Sequence, residues 1–231
     1  LDQEEGAEYR ELKPRLKELQ ADIQSNLVPL VDKIINQFEK IGYRVQWRVL
    51  NAADFGVPQT RQRVFFIGTR HEEMEIKFPR QTHVQDDSDG QEAGLEPWIN
   101  SQTVLKKYED WEEDPELNHV FTNHSEKFVK KLHRTPIGGN VYESYSDAWW
   151  RLDPAVPART VKENHGGVFV HYEFDRVCTP RELAALQSFP DDFRFEGTKS
   201  AILKQIGNAV PPKLAEAIAM NLKDMFEGGL E

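Results

Sequence analysis

The sequence predicts an α/β fold from a helix, two strands and the loop between them. Apolar residues recur at helical spacing over residues 27–41, and Gly42 follows where a C-cap glycine would end the helix. Over residues 43–49 apolar and polar side chains alternate, which is typical of a strand with one solvent-exposed face. Residues 64–68 predict a second, short and fully buried strand. Helix, strand, loop and strand in this order indicate the tail of an α/β domain.

Two further helices are predicted near the end of the chain. Thr179 and Glu182 have the spacing of a capping box, and Pro180 stands at the first helical position, where its missing N–H costs nothing. This pattern predicts a helix over residues 180–187. Pro212 opens the last helix in the same way, and one apolar face is formed by Leu214, Ile218, Leu222 and Met225.

Composition limits the class of protein. At 231 residues with 39% hydrophobic side chains, the chain can bury one substantial core and a smaller lobe. No run approaches the roughly 18 to 20 apolar residues of a membrane helix, and the acidic N-terminus lacks a signal-peptide pattern. We therefore expect a cytoplasmic protein without a membrane segment. The single cysteine, Cys178, excludes an internal disulfide and a four-cysteine zinc site, and we expect no metal.

The charge of the chain argues against a free-standing, non-specific nucleic-acid binder. Such proteins gain affinity when clustered Lys and Arg release counterions, whereas this chain has a net charge of -10. Contact with DNA would need a local basic patch or a partner. The acidic stretches at residues 85–96 and 109–116 are interpreted as solvated surface segments rather than as binding sites.

The strongest chemical signal lies at residues 56–63, directly before the second predicted strand. Arg61 and Arg63 are two positions apart, so they are expected to point the same way from a rigid strand entrance and could clamp a planar polar group. The alternative is that both arginines only pair with surface acids.

Residues 50–68 resemble a motif of the DNA cytosine-5 methyltransferases, which reads Gln, any residue, Arg, any residue, Arg. The resemblance implies catalytic-site roles for Gln59, Arg61 and Arg63. Arg63 would reach O2 of a flipped cytosine, and Arg61 would hold the loop and the site together. Electron density builds on N3 and O2 when a cysteine adds to C6, and a permanently charged guanidinium can stabilise it.

Residues 205–212 resemble the last motif of the same family. A glycine followed by an asparagine before a helix start predicts a tight turn with exposed backbone N–H groups, suited to a carboxylate or a ribose. The resemblance implies S-adenosylmethionine as cofactor, bordered by Asn208, Ala209 and Val210. Many relatives have serine at the position of Ala209, so only a backbone contact is expected there.

Two more segments resemble the family. Residues 175–191 match the segment that ties the recognition region to the catalytic core, which implies that Arg181 and Glu182 are ion-pair or cap residues. Residues 157–161 match the place where a threonine meets the phosphate beside the target base, which assigns this role to Thr160. The alternative for Thr160 is an ordinary strand residue.

From residue 120 onward the chain is rich in turn residues and aromatics, which predicts an irregular lobe that presents loops. The resemblance implies that residues 120–171 are the target-recognition lobe. The predicted DNA-binding residues are Thr160, Arg159, Gly138 and Gly139. Further plausible base or phosphate contacts are Asn123, His124, Asn140, Lys162, Asn164 and His165. A metal site at His165 is rejected, because no second ligand lies at a metal spacing.

Several parts that the family needs do not occur in this sequence. The nucleophile comes from a Pro-Cys pair, but Cys178 follows Val177 and is predicted to be a small buried side chain. A glycine-rich cofactor turn and a Glu-Asn-Val segment are also absent, and the family places all three ahead of the predicted first helix. We therefore expect this chain alone to methylate nothing. It is either one subunit of a split enzyme or a fragment of a longer one.

The resemblance implies the C-terminal part of a Rossmann-like, S-adenosylmethionine-dependent methyltransferase domain with a small recognition lobe. Residues 1–79 would be the rear of the α/β domain, 80–175 an acidic insertion with the recognition lobe, and 176–231 the closing helices. The expected partners are double-stranded DNA and the N-terminal part or subunit, in a restriction-modification setting. One alternative is a non-catalytic DNA-binding or regulatory relative. Another, a helix-turn-helix reader over residues 180–210, is disfavoured by the acidic charge and the prolines.

Overall fold

The structure, a computed structural model, describes residues 30–85, 94–142, 149–163 and 169–228. Most of the acidic stretch predicted at residues 85–96, together with Asn164 and His165, lies outside the described residues. The described chain divides into two compact units. The first unit contains residues 30–48 and 66–76, and the second contains residues 49–65 and the chain from residue 77 onward.

The first unit contains a helix and parts of two strands. Helix α1 covers residues 30–39 and is followed by Gly42, whose φ of 85° lies in the left-handed region that favours glycine. Strands β1 (Arg44–Asn51) and β2 (Gln62–Thr69) pair in a two-stranded sheet. Both strands, the α/β class and the helix over its described residues are confirmed, while residues 27–29 of the predicted helix lie outside the described residues.

The predicted burial of the second strand is wrong. Val64 in β2 is 38% exposed, and Trp47 and Val49 on the apolar side of β1 are 38% and 48% exposed. The physical reason is that the sheet has two strands among the described residues, so no further strand covers its apolar positions. Leu30 and Phe38 in α1 are also exposed. The two strands and α1 therefore present apolar side chains that a complete α/β domain would bury.

The second unit begins with the loop between the strands. A 3₁₀ helix at Ala52–Phe55 is followed by the short parallel strands β3 (His83–Val84) and β4 (Glu96–Pro97). Helix α2 (Ser101–Leu105) leads into a 3₁₀ turn at Lys106–Tyr108.

The described residues between 120 and 171 are mostly irregular, as predicted, and isolated bridges join segments of this region. It contains one helix that the sequence pattern did not predict, α3 (Glu126–His133). The side chain of Ser125 caps this helix by accepting from the N–H of Phe128.

The closing helices pack the core of the second unit. All residues of α4 (Pro180–Leu186) are buried, and the predicted capping box between Thr179 and Glu182 is present. Helix α5 (Lys199–Asn208) follows a Thr198 cap, and α6 (Pro212–Gly228) completes the described chain. None of the described helices is long and apolar enough to cross a membrane.

Arg181 and Glu182 are confirmed as internal structural residues. Arg181 is fully buried and donates to the carbonyl oxygens of Pro190, Asp191 and Phe193. Glu182, also fully buried, accepts two hydrogen bonds from the guanidinium of Arg176, at 2.8 and 2.7 Å. These charge-assisted bonds offset the cost of burying the charges.

A buried histidine lies beside this ion pair. The Nδ1 atom of His171 accepts from the backbone N–H groups of Glu173 and Phe174, at 3.1 and 3.4 Å, and the ring packs against Tyr172. Its Nε2 atom is 3.9 Å from a carboxylate oxygen of Glu182, too far for a hydrogen bond. Burial lowers the pKa of His171 to about 4, although the charge of Glu182 acts in the opposite direction.

The low pKa of His171 predicts a loss of stability in mild acid. The ordinary pKa of 6.5 falls to about 4 in the folded chain, so the unfolded chain binds more protons between these values. The free energy of unfolding should therefore decrease as the pH falls from 6.5 toward 4, by up to about 3 kcal/mol. Urea unfolding at a series of pH values measures the slope. His171→Gln should flatten it, and His71→Gln, which removes an exposed imidazole, is the control. An equal slope in His171→Gln would contradict the assignment.

Candidate active-site cleft

Two of the sequence motifs lie side by side in the second unit. The N–H of Thr60 donates to the carbonyl of Ala158 at 2.8 Å, and the N–H of Ala158 donates to the carbonyl of Pro58 at 3.0 Å. The hydroxyl of Thr160 donates to the carbonyl of Thr60 at 2.9 Å. These three hydrogen bonds hold the segment before β2 alongside residues 158–160.

Gln59 connects these segments to the closing helices. Its side chain is fully buried, and its Nε2 donates to Gln187 Oε1 at 3.0 Å and to the carbonyl of Leu186 at 3.2 Å. Its Oε1 accepts from the N–H of Val161 at 2.7 Å. Gln187 in turn donates to the carbonyl of Ile206 at 2.6 Å. Because Gln59 is buried and bonded in this way, its geometry is that of a positioning residue and not of a group that touches a substrate.

Arg61 makes the next connection. It is 4% exposed, and its guanidinium donates to the carbonyl of Val161 at 2.9 Å and to the carbonyl of Gly207 at 2.8 Å. Its backbone N–H donates to Asn51 Oδ1, and its carbonyl accepts from Ala52. Arg61 therefore fastens the start of β2 to the end of α5 and to the loop beside it.

The pKa of Arg61 is lowered, mainly by burial of the side chain and to a smaller extent by the charge of Arg63. The value falls to about 10, which leaves Arg61 charged at neutral pH.

Arg63 lies beside Arg61 but faces outward. Its side chain is exposed, and Nη1 donates to the carbonyl of Gln62 at 2.7 Å. Both arginines border one cleft of about 560 Å³, whose lining is formed by Arg61, Arg63, Thr160, Val161, Lys162, Glu163, Gly207 and Asn208. Three of these eight side chains are basic and one is acidic, so the cleft is locally positive although the chain is acidic. Such a cleft favours an anionic or electron-rich ligand.

The predicted tight turn at Gly207 is wrong. Gly207 and Asn208 form the C-terminal end of α5, and the connection to α6 is limited to residues 209–211. Their N–H groups face back along the helix, and the N–H of Ala209 is directed at the carbonyl of Ile206. A Cβ at position 207 would lie 2.3 Å from the backbone nitrogen of Glu163. Glycine is required for this close approach, and not for a turn.

Of the three predicted cofactor residues, Asn208 lines the cleft, and Ala209 and Val210 follow it in the chain without lining the cleft. The side chain of Asn208 is exposed. Ala209 is half-buried, and Val210 is 48% exposed.

The predicted DNA-binding residues lie in two neighbouring places. Thr160 lines the cleft and lies outside any strand. Its hydroxyl could donate a hydrogen bond to a phosphate only if the bond to the carbonyl of Thr60 were broken. Gly138 and Gly139 donate their N–H groups to carbonyls of the lobe itself, so neither offers an amide to DNA. Arg159, next to Thr160, places its guanidinium 3.3 Å from the ring centroid of Trp150.

Of the other predicted contacts among the described residues, three line one of two clefts, whereas Asn140 lines neither and pairs with Trp150 in an isolated bridge. Lys162 lines the first cleft. Asn123 and His124 line a second cleft of about 610 Å³, which shares no lining residue with the first. Burial lowers the pKa of His124. The sequence reasoning missed Glu163, the acidic side chain in the first cleft, although its position directly after Lys162 could have indicated it.

Cys178 is confirmed as a buried side chain. It is 1% exposed, and burial raises the pKa of its thiol well above the ordinary value, so it does not present a thiolate nucleophile. Among the described residues, no group of His, Cys, Asp and Glu side chains is arranged to hold a metal ion.

The described chain is of α/β class and has the fold of a Rossmann-like methyltransferase domain, with a basic cleft bordered by Arg61 and Arg63. Residues 23–224 match the model of the C-5 cytosine-specific DNA methylase family, and the chain belongs to that family. The family uses S-adenosylmethionine as methyl donor and acts on DNA.

Individual relatives agree with this assignment. The type II methyltransferase M1.HphI of Haemophilus parahaemolyticus is 43% identical over 196 residues, which make up 81% of this chain and 50% of that protein. The type II methyltransferase M.AquIB of Picosynechococcus is 40% identical over 123 residues, which make up 47% of this chain and 88% of that protein. The chain spans about half the length of the curated relatives that it matches over most of its own length.

A solved structure supports the fold. It is described as a DNA modification methyltransferase encoded within a prophage of E. coli, and it superposes with a TM-score of 0.63 at 24% identity. The match covers 86% of this chain and 65% of the other.

Gly207→Ala tests the close approach at the cleft. Alanine favours a helix over glycine by about 1 kcal/mol, so an unhindered site would gain stability. Because the new Cβ would overlap the backbone of residues 162–163, we expect a loss of about 2 kcal/mol instead. The urea midpoint measures the change, with Lys204→Ala at an exposed position of α5 as control. A Gly207→Ala chain as stable as the original would contradict the packing.

Proposed function

We propose that this chain is the rear part of a DNA cytosine-5 methyltransferase, which methylates a flipped cytosine when combined with a front part. The observation that carries the proposal is the placement of Arg63. Its exposed guanidinium borders a basic cleft, directly beside the buried scaffold made by Gln59 and Arg61. A charged group on a rigid support is what an electron-rich reaction intermediate requires.

The proposed chemistry assigns a charge-stabilising role to Arg63. When a cysteine thiolate adds to C6 of cytosine, negative charge develops on N3 and O2 of the ring. The guanidinium of Arg63 donates to O2 and stabilises this charge. Arg61 and Gln59 contribute by fixing the segment that carries Arg63, and not by contact with the base.

S-adenosylmethionine supplies the methyl group when bound, and Asn208, Ala209 and Val210 are proposed to border it. The exposed amide of Asn208 at the cleft offers both a donor and an acceptor to a polar group. The half-exposed Val210 offers an apolar surface. The main part of the cofactor site belongs to the front part.

The DNA-binding surface is proposed to consist of the cleft and the lobe next to it. Lys162 adds a third positive charge to the two arginines of the cleft, which suits a phosphate backbone. Thr160 and Arg159 are the proposed contacts, and Gly138 and Gly139 are proposed to lie beside the duplex without donating their amides to it. In this arrangement residues 80–175 contain the recognition lobe, and residues 1–79 and 176–231 belong to the methyltransferase domain.

The front part is expected to carry the Pro-Cys loop and to cover apolar surface on the first unit. Leu30 and Ile41 are each 57% exposed, Phe38 is 41% exposed and Trp47 is 38% exposed. A second chain or a further stretch of the same polypeptide could supply this part. M.AquIB supports the first arrangement, because 88% of that relative matches a part of this chain that makes up 47% of its length. The prokaryotic cytosol, where DNA and type II methyltransferases occur, is the proposed location.

Reconstitution tests the proposed function. This chain is mixed with a front-half polypeptide that bears the Pro-Cys loop, and transfer of labelled methyl groups to duplex DNA is measured. We expect methylation in the mixture and none with either part alone. Arg63→Ala should lower kcat on the order of a hundredfold, because it removes charge stabilisation. Arg63→Lys should restore only part of the rate, because lysine lacks the planar pair of donors.

Arg70→Ala is the matched control, since it removes an exposed arginine that stacks on Tyr43 and does not line the cleft. Full methylation by the Arg63→Ala mixture would contradict the role of Arg63. Binding of duplex DNA without methyl transfer in any mixture would favour a non-catalytic DNA-binding relative instead.

A further inference from the structure

A stacked pair of side chains lies next to the cleft. The guanidinium of Arg159 is 3.3 Å from the ring centroid of Trp150, which is close contact for a cation–π pair. Trp150 is half-buried against the main core, whereas Arg159 is exposed. Thr160, the next residue along the chain, lines the cleft that contains Arg63.

The backbone around Trp150 is held from two sides. On one side, the N–H of Val141 donates to the carbonyl of Trp149, and the N–H of Arg151 donates to the carbonyl of Gly139. On the other side, the N–H of Val170 donates to the carbonyl of Trp150 at 2.8 Å. The indole is therefore attached to a fixed stretch of backbone.

Arg151 anchors the same stretch from below. Its side chain is 5% exposed and donates to the carbonyl of Leu132 and to a carboxylate oxygen of Asp175, each at 2.6 Å. Consecutive residues thus have different roles: Arg151 is tied into the lobe, and Trp150 supports an exposed arginine.

Gly138 adjoins the same indole. Its φ is 69°, and a Cβ at this position would lie 3.9 Å from Cζ2 of Trp150. Gly138 and Arg159, which the sequence suggested separately as DNA contacts, are therefore brought together by Trp150.

We propose that Trp150 is a positioning residue, which holds Arg159 ready to bind a pair of acceptor atoms on duplex DNA. This inference rests on the proposed function. Stacking engages the flat face of a guanidinium, while its N–H groups lie in the plane and point from its edge. Such an edge fits two acceptors at once, as in the O6 and N7 atoms of guanine or two oxygens of a phosphate. Because the tryptophan restricts the arginine before binding, less conformational entropy is lost on contact.

The test uses the reconstituted enzyme and a library of duplexes randomised around cytosine. Bisulfite sequencing reports which sites are methylated, and KM for the duplex and kcat are measured at several salt concentrations. Arg159→Ala should raise KM on the order of tenfold with little change in kcat. Trp150→Leu should raise KM roughly two- to fivefold, and Trp150→Phe should restore it by retaining an aromatic face. In the Arg159→Ala background, Trp150→Leu should add no further effect.

Arg194→Ala is the control, because this exposed arginine pairs with exposed Glu116 on the surface.

The pattern of loss in Arg159→Ala distinguishes the two acceptors. Relaxed preference at one base position identifies a guanine contact. A uniform loss, with the slope of log affinity against log salt smaller by about one, identifies a phosphate contact.

The proposal would be overturned if Trp150→Leu had the same effect with and without Arg159, or if Trp150→Phe gave no rescue. Either result would leave the proposed function intact, as long as the unmodified mixture methylates DNA. If the unmodified mixture transfers no methyl group, the proposed function fails by itself. Duplex affinity of this chain, measured by fluorescence anisotropy, then decides the role of Trp150. The same pattern among the variants would support it, and equal affinity of all variants, or no binding, would overturn it.

Discussion

The hydrogen bonds of the Arg61 guanidinium are the interaction on which the cleft depends. Arg61 joins the carbonyl groups of Val161 and Gly207, which are 100 and 146 residues away in sequence. A planar guanidinium can reach two carbonyls in fixed directions, whereas a lysine would present one flexible point charge. These two bonds offset the desolvation of a buried cation, and losing them would leave two carbonyls without their donor.

The neighbouring arginine has the opposite environment, although both belong to one motif. Arg61 is 4% exposed and internal, and Arg63 is exposed and borders the cleft. The division follows from position: Arg61 precedes β2 and faces the closing helix, while Arg63 lies within the strand. Arg61 therefore forms part of the cleft wall, and Arg63 stays exposed at the cleft. Gly207 makes this possible, because only a residue without a side chain allows Glu163 so close to α5.

Local signals predicted much of the fold. The capping box at Thr179, the proline at the start of α6 and the strand β1 each follow from neighbouring residues in the chain, and each is present in the structure. Burial could not be predicted in this way. Val64 is an apolar, β-branched residue of the type found in a buried strand, but whether it is covered depends on other parts of the fold.

The site shows the same division between local and distant causes. The motif residues on either side of the cleft were identified from the sequence, because residue types and spacing carried the resemblance. The role of Gly207 was misread as a turn, since the constraint on it comes from the backbone of Glu163, 44 positions earlier in the chain (207 minus 163). Trp150 gave no signal in the sequence beyond aromatic composition, because its partner Arg159 is set by the folding of the lobe.

Hydrogen–deuterium exchange on an Arg61→Met chain is the most direct test of the central claim. Methionine keeps much of the apolar stem of arginine but donates no hydrogen bond. Amide exchange should become faster in residues 158–163 and residues 205–210 together, with little change in α3. Unchanged exchange in both segments would show that Arg61 does not hold the cleft together.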